Sequence, residues 1–156
     1  RLGFQGYNSY LQLPEKTEID IRDTGDVAYS VTQTFKSSSN EELYNYIDRL
    51  TTIEITNIQY KVANYTGADD GAFEGTLKFA ALPYELQMPY TEVKDAMEND
   101  VVTTVRATEA QLEEISALFL DGQPVDVEFE GTGFNAPMKF SLEVILTVKA
   151  EAQIQE

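Results

Sequence analysis

Only a restricted chemistry is open to this chain. Its 156 residues include no Cys and no His. Thiolate nucleophiles, Cys–His and Ser–His–Asp catalysis, and His-ligated zinc sites are therefore excluded. Carboxylate, Lys and Tyr chemistry survives, as do oxygen-ligated hard cations. Two loops concentrate the acids. Asp20, Asp23 and Asp26 recur every third residue in DIRDTGD, and Asp69, Asp70 and Glu74 lie in the Gly-rich turn GADDGAFEG. Calcium takes about six to eight oxygens, backbone carbonyls included, and acidic turns supply them. Neither loop has the EF-hand order, and Asp and Gly are also ordinary turn formers. Asp69, Asp70 and Glu74 are the residues that would hold Ca²⁺, and no other cofactor is expected.

The remaining acids suggest a surface before they suggest a reaction. Between Arg106 and Lys139 there is no Lys or Arg, while Glu113, Glu114, Asp126, Glu128 and Glu130 all fall in that stretch. They form an acidic face, either a dock for a basic partner or a solvated face that guards a strand edge. Glu128 and Glu130 share a strand face about 6.5–7 Å apart, inside the roughly 5–9.5 Å range of glycosidase carboxylate pairs. With 27 Asp and Glu such pairs arise by chance, and there is no Trp to form a sugar platform. The net charge of −16 repels phosphate backbones, so no nucleic-acid partner is expected. No apolar run approaches the ~20 residues of a membrane span.

Aromatic residues mark a further candidate. Phe4, Tyr7 and Tyr10 recur every third residue in RLGFQGYNSYLQLP, which Pro14 closes. That period is neither helical nor clearly strand-like. Residues 1–14 read as an extended aromatic arm. It lies on its own domain or adds to the sheet edge of a neighbour.

The elements that must position these groups are mostly strands. Val27, Tyr29, Val31, Gln33 and Phe35 alternate with small polar residues, the mark of a half-buried strand. SSSNEELYNYIDRL reads as a short helix capped by Ser39, with Glu42 completing a capping box. In 51–67 the apolar parity changes around Thr56, which predicts a β-bulge. Pro83 and Pro89 interrupt 83–100, which holds at most one or two loose helical turns. Thr108 and Gln111 cap a second helix carrying Leu112, Ile115, Leu118 and Phe119 on one face, and Asp121-Gly122 stops it. PVDVEFEG and MKFSLEVILTVKAEA show the cleanest alternation, with GTGFNAP as a hairpin-length loop between them. One wet face and one buried face indicate antiparallel pairing. The expected fold is mainly β: an antiparallel two-layer β-sandwich of immunoglobulin-like architecture with two short connecting helices, spanning 15–156. A sheet with helices on one face is the alternative.

IEITNIQYKVANYTG and VDVEFEGTGFNAPMKFSLEVILTVKA resemble β-sandwich modules of secreted or surface proteins from Bacteroidota. The likeness lies in short amphipathic helices feeding Thr/Tyr/Asn-rich strands. It implies an extracellular or cell-surface place and a binding or structural role, and it carries over no functional residues. The opening at Arg1 reads as a processed N-terminus. The expected function is a non-enzymatic extracellular structural, assembly or protein-interaction module, such as a surface or filament subunit. Its partners are other protein subunits, as in a homo-oligomer built through the arm. A calcium-dependent or carbohydrate-binding module is the alternative, and a carboxylate hydrolase the last.

Overall fold

The computed structural model describes residues 4–120 and 122–155, with side chains for residues 10–120 and 122–152. Two long strands form its spine. β1 (Phe4–Phe35) and β6 (Val125–Gln155) run antiparallel, from Phe4 opposite Gln155 to Phe35 opposite Val125. The other side of β6 is shared. β2 (Leu50–Gly67) pairs with the C-terminal part of β6, and β3 (Ala72–Phe79) with its N-terminal part. β4 (Leu86–Glu92) lies beyond β3, and β5 (Thr103–Thr104) beyond β2. All pairs are antiparallel.

A straight strand the length of β1 would span roughly 100 Å at about 3.4 Å per residue, far more than a domain of this size. The spine therefore bends. On β1 the register shifts between Ile21, Gly25 and Val27, and Gly25 has φ +99°, a value that suits a residue without Cβ. At the same level β6 carries Asn135 with φ +61°, and a few residues further along β2 carries Asn64 with φ +55° and a register shift after Ala63. Aligned irregularities in adjacent strands turn a flat sheet into a curled one.

The curl brings two halves of the sheet face to face. Phe73 of β3 belongs to one half. Its ring meets Phe140 of β6 at 5.0 Å and Tyr60 of β2 at 5.9 Å, both in the other half. At one end Phe79 lies between Phe35 and Phe119, 6.4 and 6.3 Å away. These rings are fully buried, and each side chain contributes about 1.5–3 kcal/mol of transfer free energy.

Three α-helices occur among the described residues: α1 (Glu41–Asn45), α2 (Val93–Glu98) and α3 (Glu109–Phe119). Two were expected; α2 and β4 together occupy the Pro-interrupted stretch. α3 has the expected capping box of Thr108 and Gln111, and the expected bulge falls between Ile55 and Asn57. α1 differs. Asn40 is its cap, accepting from Leu43 N at 3.0 Å, while Ser39 Oγ donates to Glu15 at 2.7 Å. GTGFNAP is not a loop. It is the bend inside β6, because β1 continues to pair across it. Residues 4–14 form the start of β1, and Pro14 sits within the ladder opposite Ile145.

Candidate functional site

Sheet edges carry unpaired N–H and C=O groups, so the first question is where those groups go. Their direction follows from two bonds. Ala80 N donates to Asp126 O at 2.9 Å. Even-numbered residues of β6 around 126–132 therefore face β3, and alternation turns the odd-numbered ones toward β1. Residues 27, 29, 31, 33 and 35 bond β6 in return. Ala28, Ser30, Thr32 and Thr34 aim their backbone groups outward. In the other half, Val105 N donates to Ile58 O at 2.8 Å. The same alternation turns Gln12, Pro14, Lys16 and Glu18 outward. Two local details agree. Asn40 Nδ2 donates to the outward Gln12 carbonyl at 2.7 Å, and Pro14, which lacks an N–H, faces solvent rather than the ladder.

Most edges are covered or guarded. Along β2, the buried Ser116 Oγ of α3 accepts from Ile55 N at 2.7 Å, and Met97 Sδ of α2 accepts from Tyr65 N at 3.4 Å. Between them β5 supplies the Ile58 bond. β4 is short and contains Pro89. Residues 12–20 of β1 carry Pro14 and the charges of Glu15, Lys16, Glu18 and Asp20, with Asn40 over Gln12. Glu15 is itself engaged, accepting from Lys36 N at 2.8 Å.

Residues 27–34 of β1 differ. The run VAYSVTQT contains no charge and no Pro. Among the described residues no strand other than β6 pairs with β1, and no backbone bond from a loop or helix reaches this run. Gln33 Nε2 caps the Thr34 carbonyl at 3.3 Å.

The run is held stiffly from within. Tyr29 points to the inner face and lies across two glycines, Gly131 of β6 and Gly75 of β3. Its hydroxyl donates to Glu74 O at 3.2 Å, joining β1 to β3 over the intervening strand. A Cβ on Gly75 would meet the Tyr29 hydroxyl at 2.5 Å, and one on Gly131 would meet it at 2.8 Å. Only glycine leaves room for the ring. Burial pushes the Tyr29 phenol well above its ordinary range, with Tyr60 and Glu74 adding to the shift. A shallow depression of about 670 Å³ opens beside it, bordered by Ser30, Glu74, Thr76, Gln87, Pro89 and Glu130.

The sequence-predicted residues fall in several places. Asp69 is exposed, and its Oδ1 accepts from Lys94 Nζ at 2.8 Å. That hydrogen bond, and then the Lys94 charge, holds its carboxyl below the usual range. Asp70 contributes its backbone carbonyl, which accepts from Asn135 Nδ2 at 3.1 Å. The Glu74 carbonyl is taken by Tyr29. Among the described residues no group of three or more carboxylates is placed to hold a metal ion. Asp126, Glu128 and Glu130 do share the outer face of β6. Asp126 accepts from Thr34 Oγ1 at 2.7 Å, and Glu128 lies 3.9 Å from Lys78 Nζ. Glu113 and Glu114 stand on α3. Of the aromatic arm, Tyr10 is 67% exposed with Lys149 Nζ 6.0 Å from its ring. The side chains of Phe4 and Tyr7 lie outside the described residues. No described helix is long and apolar enough to cross a membrane.

No family model and no curated protein matches the chain. Several solved structures are similar at low identity. The decameric BFDV capsid protein is 8% identical with a TM-score of 0.45, covering 92% of this chain and 99% of that one. Desmodium yellow mottle tymovirus is 12% identical at TM-score 0.41, covering 96% of this chain and 85% of that one. Turnip yellow mosaic virus is 8% identical at TM-score 0.41, covering 96% and 97%. Likenesses this distant carry no argument about the present chain.

Proposed function

We propose that this chain is a non-enzymatic structural or assembly module whose partners are other protein subunits. One observation carries the reading: the bare stretch of strand edge at residues 27–34, whose outward backbone no described loop, helix or second strand reaches. A bare edge is a template for another strand. A protein that shields β2 with two helices and a short strand, and guards β4 with Pro89 and residues 14–20 of β1 with Pro14 and charges, leaves this run open. The residue inventory supports the same reading. Without His or Cys there is no ordinary nucleophile–base pair to build, and the carboxylates that could act in pairs lie on an exposed sheet face or in surface ion pairs. As part of the proposal, the curled halves act as the two layers of a β-sandwich. A place outside the cell or on its surface rests on the resemblance in sequence style.

Light scattering coupled to size exclusion, from micromolar to millimolar protein, tests the reading. Reversible association that grows with concentration supports it. A strict monomer throughout the range overturns it.

A further inference from the structure

We infer that residues 27–34 of β1 form a strand-addition edge for a second copy of this chain, with the two runs paired antiparallel. This rests on the assembly reading above and names its surface and its partner.

The geometry is self-complementary. Ala28, Ser30 and Thr32 each aim one N–H and one C=O outward, and Thr34 does the same with its carbonyl already accepting from Gln33 Nε2. An antiparallel partner with the same spacing satisfies all of them, and a two-fold axis through the run puts identical segments on both sides. An eight-residue ladder of this kind makes about eight hydrogen bonds. The register shifts at Ile21, Gly25 and Val27 bound it at one end, and the Lys36–Glu15 contact bounds it at the other.

Charge placement favours a second copy over an unrelated partner. A partner recruited by the acidity of the chain would need basic side chains against acidic ones at the joint. This run has no charge to offer them. Asp26 borders the run on β1 itself, and Asp126, Glu128 and Glu130 lie one strand back on β6. In the joined sheet the two β6 strands are three spacings apart, about 14 Å. That exceeds the ~8 Å screening length at physiological salt, so the net charge of −16 does not prevent this approach. Residues 14–20 of β1 are the opposite case: they carry Glu15, Lys16, Glu18 and Asp20, and Pro14 removes a donor.

The interface is small. A ladder of this length falls short of the ~1,200 Å² at which stable interfaces begin. The association is therefore reversible and dependent on concentration.

Amide hydrogen exchange by NMR on the whole chain, at low and high concentration, tests the inference together with light scattering on three variants. Thr32→Pro removes an outward donor and no β6 bond. Thr32→Lys places a charge at the joint. Glu18→Pro makes the same backbone change on the guarded part of the edge. The wild type should dimerise, and the amides of Ala28, Ser30, Thr32 and Thr34 should exchange at least about tenfold more slowly at high concentration. The amides of Val31 and Gln33, already bonded to β6, should change little. Thr32→Pro and Thr32→Lys should be monomeric, and Glu18→Pro should dimerise like the wild type. If the wild type associates while the four amides keep their rates and Thr32→Lys still associates, the edge is wrong and the assembly reading stands. If the wild type never associates, both fall. The exchange profile and Thr32→Lys decide the matter even if the proline variant does not fold.

Discussion

Replacing Gly131 by Ala tests how tightly the sheet is closed where β1, β6 and β3 cross. Gly131 lies opposite Tyr29 on one side and Gly75 on the other. A methyl there would meet Gly75 Cα at 2.6 Å and the Tyr29 hydroxyl at 2.8 Å, and would press on Glu74 O. Carbon atoms in contact prefer about 3.5–4.0 Å. Tyr29 can swing away, but the backbone of β3 has to withdraw by roughly 1 Å. Overpacking of this kind costs about 1–3 kcal/mol, and each stretched ladder bond forfeits part of its ~0.5–1.5 kcal/mol. Against this, Ala restricts the unfolded chain and returns about 0.4–1 kcal/mol. The net expectation is a loss of about 2 kcal/mol. In urea, with a slope of about 2 kcal/mol per molar, the unfolding midpoint should fall by about 1 M. Adding Tyr29→Phe should not restore it, since the closest contacts are backbone. An unchanged or raised midpoint for Gly131→Ala would refute the close crossing and the role given to the glycine pair.

Three further outcomes are expected. Ser116→Ala leaves Ile55 N without the acceptor it has at 2.7 Å, so thermal unfolding should show a loss of about 1–3 kcal/mol; full stability would mean the β2 edge is covered some other way. Phe73→Ala empties the contact between the two halves of the sheet and should cost about 3–5 kcal/mol in denaturant unfolding, where a loss under ~1 kcal/mol would contradict its central place. Asp69 should titrate below an ordinary aspartate in carbon-detected NMR, and Lys94→Ala should return it to the ordinary range. The sign follows from the depressed carboxyl: the pairing favours the folded form above the unfolded pKa and is lost as pH falls through the folded pKa. Since Asp69 is fully exposed, the effect belongs in its titration curve and not in overall stability.

Much of the local structure was legible in the residues. The alternation in PVDVEFEG and MKFSLEVILTVKAEA set the inward faces of β6 correctly, and the Thr108–Gln111 box set the start of α3. GTGFNAP was not legible. The buried positions of β6 pass from odd numbers (Val125, Val127, Phe129, Gly133) to even ones (Ala136, Met138, Phe140). A loop between two strands and a bend within one strand leave that same trace. Pairing with β1, more than 100 residues away in sequence, makes it a bend. Likewise Ser39 and Asn40 are equally good caps by type, and the claim of Glu15 on the Ser39 hydroxyl leaves the capping to Asn40.

The candidate edge divides in the same way. That VAYSVTQT is uncharged, Pro-free and alternating is plain from the residues, and such a run suits a central strand as well as an edge. The sequence by itself determined which side chains turn inward, which helix start is capped, and that His and Cys chemistry is absent, because these depend on residue type and on spacing over a few positions. Only the tertiary structure decided that β1 lies outermost, that α2, α3 and β5 cover β2, and that among the described residues no second strand, loop or helix bonds the outward backbone of 27–34. Side-chain direction is set by local periodicity. The identity of a strand's neighbour is set by contacts between distant parts of the chain.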